Sequence, residues 1–469
     1  MKRFSSLEEI NADLLAGKIT MRGLVSYYLE NIEKNKSLNA FLEVWAEEAL
    51  HAADLIEQKI KNGIAGKLAG MVIGLKDNIC YKGHKVSASS KILEGFESVY
   101  SATVVERLLA EDAIIIGRLN CDEFAMGASN ENSAFGRVLN AASHEHVSGG
   151  SSGGAAVAVQ ADLCLATLGS DTGGSVRQPA AFCGVYGLKP TYGRVSRYGL
   201  IAYASSFDQI GPLTSSVSDM QNIMEVIAGI DPHDATTSAK TVPHFKQTTT
   251  KAVAKIAVMK EGLYLEGIDP EVKKAVEATI EKLKLQGHHI EEISFPLLDV
   301  LVPIYYVLTT AEASSNLSRF SGLMYGYRSP KAKDLEETFK KSRSEGFGPE
   351  VKRRIMLGTF VLSAGFFDAY YSKAQQVRKL VQQKTNELFE TFDFILLPTT
   401  PTPAFKAGEK SADPIAMYLA DIFTVHANIS GHPAISVPCG THSNGMPIGV
   451  QLMGNNFCED ELLALAQTL

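Results

Sequence analysis

The first sixty residues have the apolar spacing of amphipathic helices. Leu7 and Ile10 are one helical turn apart, and Ser6 with Glu9 three residues later matches the capping box that often begins a helix. The alanine-rich stretch that follows continues the same pattern. We therefore predict two or three helices over residues 6–62.

From residue 71 onward, short apolar runs alternate with helix-like stretches. Residues 71–78 form an apolar run ending in charge, which predicts a buried strand with Lys76 at or near its end. Further strands are predicted over 113–117, 163–168, 255–259, 289–293, 392–398, 433–438 and 448–453, with helices over 102–111 and 269–286 and a charged helical region over 329–374. Such alternation is typical of parallel sheets covered by helices. We therefore predict an α/β fold with a single large mixed, mostly parallel sheet and helices on both faces.

Residues 210–252 interrupt this alternation. They contain Gly211-Pro212, the turn-like sequence Asp231-Pro232-His233-Asp234 and a tract rich in threonine and lysine. Such residues mark turns and loops. A loop or linker is therefore predicted there.

Composition narrows the class of protein. Of 469 residues, 45% are hydrophobic and 21% are charged, which is ordinary for a globular protein with a large core. The net charge of −7 argues against a nonspecific electrostatic grip on nucleic acid by this chain alone. The six cysteines are scattered without a C-x-x-C pair, as expected for reduced thiols in a cytoplasmic protein.

The apolar segments do not predict a membrane protein. The N-terminal residues meet Glu8 and Glu9 before any apolar core, unlike a signal peptide. The longest apolar stretch, residues 154–169, is interrupted by Gln160 and Asp162 and is too short to span a bilayer. We therefore expect a cytoplasmic protein without membrane contact.

Two glycine-rich loops carry the candidate chemistry. The first, residues 147–155, contains Ser151 and Ser152, and the second, residues 169–175, ends in Ser175. Adjacent glycines allow the backbone to turn several N–H groups toward one point, as an oxyanion requires. A serine hydroxyl in such a loop can act as a nucleophile if a base takes its proton.

Two kinds of base are compatible with these loops. Gly149-x-Ser151-x-Gly153 formally matches a nucleophile elbow, which would use histidine, but polar residues 143–146 stand where that motif needs a buried strand. The alternative is Lys76, because burial lowers the pKa of a lysine.

The lysine alternative assigns a role to each group. Lys76 is the base, Ser151 the bridging hydroxyl and Ser175 the nucleophile. The backbone N–H groups around Thr172, Gly173 and Gly174 would bind the oxyanion. Ser151 or Ser152 would also cap a helix beginning near Gly153.

A metal site is not expected. His144 and His146 are two residues apart, a spacing that could suit a metal ion, but no third ligand stands nearby in the sequence.

These motifs resemble the amidase signature family. The resemblance lies in Gly149–Gly154, in Gly169–Ser175 and in the lysine of Gly74-Leu75-Lys76-Asp77. It implies a Ser–cis-Ser–Lys triad, in which the peptide bond before the bridging serine is cis. Later segments, over 184–212, 312–317, 354–358 and 435–440, are similar to the glutamine-hydrolysing components of tRNA-dependent amidotransferases, so that the resemblance covers nearly the whole chain.

The resemblance also implies a domain layout and a substrate pocket. Residues 1–469 would form one amidase signature domain, with an N-terminal helical segment over 1–65 and a signature core at about 66–212. Arg354, preferred to adjacent Arg353, would bind the α-carboxylate of glutamine, and Asp421 would bind its α-ammonium. Tyr306 would line the same pocket.

The activity implied is glutamine hydrolysis. Ammonia would pass to a second component of the amidotransferase, its B subunit, which would use ATP and Mg²⁺ to amidate Glu-tRNA(Gln). A small third component, the C subunit, would complete a heterotrimer. This chain itself would need no cofactor. A stand-alone amidase acting on another small amide is the alternative within the family, and a catalytically idle scaffold that only binds partners is a third hypothesis.

Overall fold

A single mixed sheet crosses the computed structural model, which describes residues 1–410 and 414–469. Its eleven strands, counted over those residues, are β1 (Phe41–Val44), β2 (Val72–Lys76), β3 (Ile114–Leu119), β4 (Ala166–Asp171), β5 (Tyr186–Lys189), β6 (Gln209–Thr214), β7 (Lys255–Met259), β8 (His289–Ile293), β9 (Phe394–Pro398), β10 (Ala434–Thr441) and β11 (Pro447–Gly454). They pair in the order β1-β3-β2-β4-β6-β5-β10-β11-β9-β7-β8.

Helices cover both faces of this sheet. They are α1 (Leu7–Leu15), α2 (Met21–Lys34), α3 (Ala46–Lys61), α4 (Thr103–Ala110), α5 (Gly153–Gln160), α6 (Arg177–Cys183), α7 (Val217–Ile227), α8 (Glu261–Tyr264), α9 (Pro270–Leu285), α10 (Leu298–Asn316), α11 (Leu335–Gly346), α12 (Pro349–Val361), α13 (Lys373–Phe389), α14 (Pro414–Tyr418), α15 (Val425–Ser430) and α16 (Glu459–Ala466). The predicted mixed sheet with helices on both faces is confirmed.

The direction of the strands differs from the prediction. Six of the ten pairings among the described strands are antiparallel, and four are parallel. The expectation of a mostly parallel sheet is therefore corrected. For one pair the physical reason is the length of the connection: β10 and β11 follow each other through a short turn, which allows only an antiparallel hairpin. The other five antiparallel pairings join strands separated by longer segments, which allow either direction.

The core has two layers, one on each face of the sheet, as the alternation along β7 shows. In β7, Ile256 and Val258 belong to one hydrophobic cluster, together with residues of α1–α4, α7 and α16. Ala257 and Met259 belong to the opposite cluster, with residues of α10, α12, α13 and α15. Because successive strand residues point to opposite faces, this sheet is buried on both sides.

Two segments differ from the helix and loop predictions. Within residues 6–62 the chain forms three helices, as expected, but also β1, which pairs with β3 at the sheet edge. Residues 210–252, predicted as a loop or linker, contribute most of β6 and all of α7. Gly211 lies within β6 and marks no turn. A Cβ on it would lie 2.0 Å from the carbonyl oxygen of Leu188 in β5. The glycine permits close strand packing.

No helix in the described ranges is long and apolar enough to cross a bilayer. All six cysteines are free thiols, and four of them are buried.

Candidate active site

Lys76 lies at the carboxyl end of β2, beside the parallel strand β4. The whole of β2 is buried, and the Lys76 side chain ends among three serines. Its Nζ donates to Ser151 Oγ at 2.7 Å, to Ser152 Oγ at 2.8 Å and to Ser170 Oγ at 3.0 Å. Burial lowers the pKa of Lys76 to about 8, although the charges of Cys121 and nearby aspartates oppose the shift. A neutral amine is thus accessible near neutral pH.

Ser151 is fixed by its backbone. The Gly150–Ser151 peptide bond is cis. The Gly150 N–H donates to Gln178 Oε1 at 2.9 Å, and the Asp122 N–H donates to the Ser151 carbonyl at 3.1 Å. A Cβ on Gly150 would lie 2.0 Å from Asp122 Oδ2, so that only glycine fits there. The hydroxyl of Ser151 is thereby held against Lys76.

Ser152 has a different role from the one predicted. It occupies the N-cap position of α5, yet its side chain makes no capping hydrogen bond. Its hydroxyl instead accepts from Lys76 and lies 3.2 Å from the Ser170 carbonyl, to which it donates. The capping prediction is therefore wrong for this serine, because the buried amine of Lys76 also needs hydrogen-bond partners.

Ser175 is in the loop that follows β4. It is buried, with 8% of its surface exposed, and its carbonyl accepts from the Ser152 N–H at 3.1 Å. The two glycine loops are therefore neighbours in space. No hydrogen bond joins the hydroxyls of Ser175 and Ser151 among the residues described, and the second step of the relay stays a prediction.

Asp171 organises the loop between β4 and Ser175. Its carboxylate accepts from the Gly174 N–H at 2.9 Å, from Arg177 Nη2 at 2.9 Å and from Asn428 Nδ2 at 2.8 Å. Burial alone would raise its pKa, but Arg177 and Asn428 lower the pKa of Asp171 to about 2. This loop is built on a permanently charged carboxylate.

The same contact changes the predicted oxyanion donors. The Gly174 N–H is already bonded to Asp171, so its assignment to the oxyanion is not supported by this geometry. The N–H groups of Thr172 and Gly173 have no partner within the described part of the chain, while the Thr172 hydroxyl donates to Asp208 at 2.7 Å. A Cβ on Gly173 would lie 2.5 Å from the Tyr305 ring, which places this loop against α10.

Arg354 extends from α12 into the protein, whereas its neighbour Arg353 faces outward. Their side chains are 5% and 53% exposed, respectively. Arg354 Nε donates to Glu350 Oε1 at 2.8 Å, and Nη1 donates to the Tyr203 hydroxyl at 2.7 Å. Nη2 has no hydrogen bond to any described residue, so one edge of the guanidinium is open to a ligand.

Tyr306 lies against this guanidinium. Its ring centroid is 5.2 Å from the Cζ atom of Arg354, and its ring stacks on that of Tyr418 with the centroids 3.9 Å apart. Aromatic faces attract a cation electrostatically, so that these rings help to hold the guanidinium of Arg354 in place. The structure brings the predicted residues Arg354 and Tyr306 together.

Asp421 is buried nearby but forms no ion pair with Arg354 among the described residues. Burial raises the pKa of Asp421 to about 8, and the charge of Arg354 opposes this. The Thr424 hydroxyl donates to the Gly173 carbonyl at 2.7 Å, and the Thr424 N–H donates to the Asp421 carbonyl at 3.0 Å. Asp421 is thus linked to the second glycine loop through one residue.

A pocket of about 200 Å³ opens beside these groups. Arg354, Glu350 and Tyr418 line one side, and Gly127 and Ser129 line the other. The Ser129 N atom lies 2.9 Å from where a Cβ on Gly150 would stand, so that this wall backs onto the Ser151 loop. The pocket therefore lies beside Arg354, and the Ser151 loop lies behind its opposite wall.

These features suit acyl transfer from an amide, and the comparison with known proteins agrees. The family model described as Amidase matches residues 23–463. The chain belongs to the amidase family. The resemblance stated from the glycine loops and Lys76 is thereby confirmed.

Individual amidase relatives cover nearly the whole chain. The A subunit of the glutamyl-tRNA(Gln) amidotransferase of Chlorobium luteolum is 51% identical over 99% of this chain and 96% of its own length. The protein of the same name from Koribacter versatilis is 53% identical, covering 95% and 93% of the two chains. The crystal structure of the Thermotoga maritima protein of that name is 40% identical, with a TM-score of 0.78 over 96% of this chain and 91% of that one.

Sequence reasoning missed several residues of this amidase site. Ser170 and Arg177 lie in or next to the second glycine loop, and their closeness to Ser175 was a usable signal. Asp122 and Asn428 gave none, because only folding brings them to the loops. In the described ranges no group of three metal-ligating side chains occurs, and His146 bonds the Ser143 hydroxyl at 2.8 Å.

Proposed function

We propose that this amidase-family chain is the glutamine-hydrolysing component of a tRNA-dependent amidotransferase. The observation that carries the proposal is the fully buried Lys76, whose Nζ lies 2.7 Å from the hydroxyl of Ser151, in a chain half identical to proteins named for that activity. The contact supports a lysine base, and the relatives' names suggest the substrate.

The mechanism would proceed in two steps. Neutral Lys76 takes the proton of Ser151, which takes that of Ser175, and Ser175 Oγ forms a bond to the amide carbon of glutamine. The N–H groups of Thr172 and Gly173 stabilise the oxyanion, and the C–N bond breaks as the proton moves to the leaving ammonia. Water then attacks the acyl-enzyme through the same groups and releases glutamate.

The recognition groups would hold the other end of glutamine. The open Nη2 edge of Arg354 suits an α-carboxylate, and Asp421 suits the α-ammonium. Arrival of the ammonium would favour the charged form of Asp421, whose pKa burial raises. Tyr306 would orient Arg354.

The partners and the domain layout are part of the same proposal. Ammonia would pass to the B subunit, which holds ATP and Mg²⁺ and converts Glu-tRNA(Gln), and the C subunit would complete a heterotrimer in the cytoplasm. We also propose one domain over 1–469, with 1–65 packed on a signature core at about 66–212. The burial of Leu7, Leu24 and Ala53 in the same cluster as β2 and β4 supports it.

Ser175→Ala tests the activity. It removes the attacking oxygen, so the chain, purified with its genomic neighbours, should release no ammonia from glutamine above background. Free ammonium should still support tRNA amidation by the complex, which shows that the partner remains intact. Undiminished ammonia release from glutamine would exclude Ser175 as the nucleophile.

Trapping distinguishes the two serines. An acyl-serine trap followed by peptide mass spectrometry should label Ser175, and a label on Ser151 would favour the nucleophile elbow. A stand-alone amidase would instead hydrolyse amides that lack an α-carboxylate as fast as it hydrolyses glutamine.

A further inference from the structure

The loop after β3 touches both sides of the candidate site through adjacent residues. Asp122 donates its N–H to the Ser151 carbonyl at 3.1 Å. Glu123, the next residue, accepts from the Gly348 N–H, at 2.8 Å to Oε2 and 3.1 Å to Oε1. One short segment therefore contacts the bridging serine and the start of α12.

Gly348 is the N-cap residue of α12 and has no side chain with which to cap the helix. Glu123 supplies an acceptor from another part of the chain. The fit is close, because a Cβ on Gly348 would lie 2.3 Å from Glu123 Oε2. An acidic group at a helix N-terminus satisfies a free N–H and interacts favourably with the helix dipole.

Glu123 is itself held from behind. It is 2% exposed, and the Ser90 hydroxyl donates to its Oε1, while the hydroxyl oxygen lies 3.3 Å from the Gly346 carbonyl oxygen. The ring of Phe124 packs against that of Phe347 with the centroids 5.6 Å apart, which fixes the same junction between α11 and α12. The carboxylate thus has little freedom to move away from Gly348.

The capped helix carries the recognition groups. Glu350 is in the first turn of α12, and its Oε1 accepts from Arg354 Nε one turn later at 2.8 Å. A shift of the helix start would move Glu350 and, through it, the guanidinium. Neither Glu123 nor Gly348 contacts Ser151, Ser175 or Lys76 in the described structure.

We infer that Glu123 is a positioning residue that holds α12, and with it Arg354, at a fixed distance from the serine loop braced by Asp122. The inference rests on the proposed glutaminase activity for its effect on the substrate. It assigns Glu123 to recognition of the α-carboxylate and gives it no part in the chemical step.

Glu123→Gln and Glu123→Ala test this inference in the full complex. Glu123→Gln keeps the shape of the side chain and one hydrogen-bond acceptor. It therefore keeps the test decisive if Glu123→Ala has a folding defect. We expect Glu123→Ala to raise KM for glutamine about tenfold, as for a lost helix cap, with kcat within about twofold of the parent. Glu345→Gln, in an acidic residue of α11 beside the same junction, is the matched control and should change neither constant.

A double-mutant cycle with Arg354→Ala separates positioning from general destabilisation. If Glu123 acts through Arg354, Glu123→Ala should change KM by less than about twofold once Arg354 is absent. Additive effects, or a fall in kcat with KM unchanged, would overturn the inference.

Amide hydrogen exchange gives a readout that does not depend on glutamine. Exchange over residues 348–353 should become faster in both Glu123 variants and stay unchanged in Glu345→Gln. Unchanged exchange would refute the positioning role even if glutamine hydrolysis is confirmed. If the parent complex does not hydrolyse glutamine but the Glu123 variants still exchange faster than the parent, the proposed function fails and the positioning role of Glu123 stands.

Discussion

The two sides of the candidate site are built in different ways. The nucleophilic side, around Lys76 and Ser151, uses the carboxyl ends of adjacent strands and two loops directly joined to the sheet. The recognition side, around Arg354, Tyr306 and Asp421, uses α12, α10 and a 3₁₀ turn at Leu419–Asp421. The amine of the first side is surrounded by hydrogen-bond acceptors, whereas the second side leaves one edge of Arg354 open.

This difference matches what each side has to do. Proton transfer needs donors and acceptors within hydrogen-bond distance, and the sheet and its loops hold Lys76 and Ser151 in that way. Recognition needs groups that can still bind a ligand. Arg354 is paired with Glu350, but its Nη2 has no hydrogen bond to any described residue. Burial raises the pKa of Asp421 to about 8, so that an arriving cation would favour its charged form.

Lys76→Ala should give the largest effect. The effect should be confined to the nucleophilic side, and so to kcat. Loss of a general base lowers rates by about 10² to 10⁴-fold, so kcat for glutamine should fall by that amount with KM little changed. The measurement is ammonia release from the complex. Lys189→Met is the matched control, because Lys189 is also a buried lysine whose pKa burial lowers to about 7, yet its Nζ donates only to the Pro190 carbonyl among the residues described. Equal losses in both variants would contradict the role of Lys76.

Arg177→Met tests how far the nucleophilic side depends on buried charge. It leaves Asp171 buried without its cation, which costs about 3–5 kcal/mol in the free energy of unfolding. Urea unfolding should show this loss. Lys340→Met, in a pair with Glu336 whose side chains are both more than 70% exposed, should cost less than about 0.5 kcal/mol. A similar small loss for Arg177→Met would mean that Asn428 and the loop N–H groups stabilise Asp171 unaided.

Arg354→Ala should act on the recognition side. Hydrogen bonds to a charged group contribute about 1.5–3 kcal/mol, so KM for glutamine should rise about ten- to a hundredfold. Steady-state ammonia release measures it. An exposed cation of the same helix provides the comparison: Lys352→Ala removes an amine that donates to the Ser344 carbonyl and does not line this pocket, and it should leave KM within about threefold. A loss of kcat alone in Arg354→Ala would remove the division between the two sides.

The pH dependence tests the same base without a substitution. Because burial lowers the pKa of Lys76 to about 8, the neutral base becomes more abundant as pH rises toward that value. We expect kcat to increase about tenfold per pH unit below the pKa and to level off above it. Rates of ammonia release at saturating glutamine between pH 6 and 9 test this, and a flat or falling profile would argue against a lysine base.

Local sequence was sufficient to specify many sheet elements and the position of Lys76. The apolar run 71–78 became β2 with Lys76 as its last residue, because a buried run must pair its backbone in the sheet. A sheet covered by helices followed from the alternating patterns, whereas its mixture of strand directions did not. Each glycine loop alone could have been a turn, a cap or a linker, and only the two loops together with Lys76 indicated a site.

The strand directions, the role of 210–252 and the partners of each polar group depended on the folded chain. Gly211-Pro212 looked like a turn, yet close packing against β5 placed it in a strand. Ser152 looked like a helix cap, yet its hydroxyl bonds the amine of Lys76. The Gly174 N–H was taken by Asp171, and Glu123 came to cap a helix 225 residues away. Local patterns report burial and backbone freedom, whereas these contacts depend on which distant segments the sheet brings together.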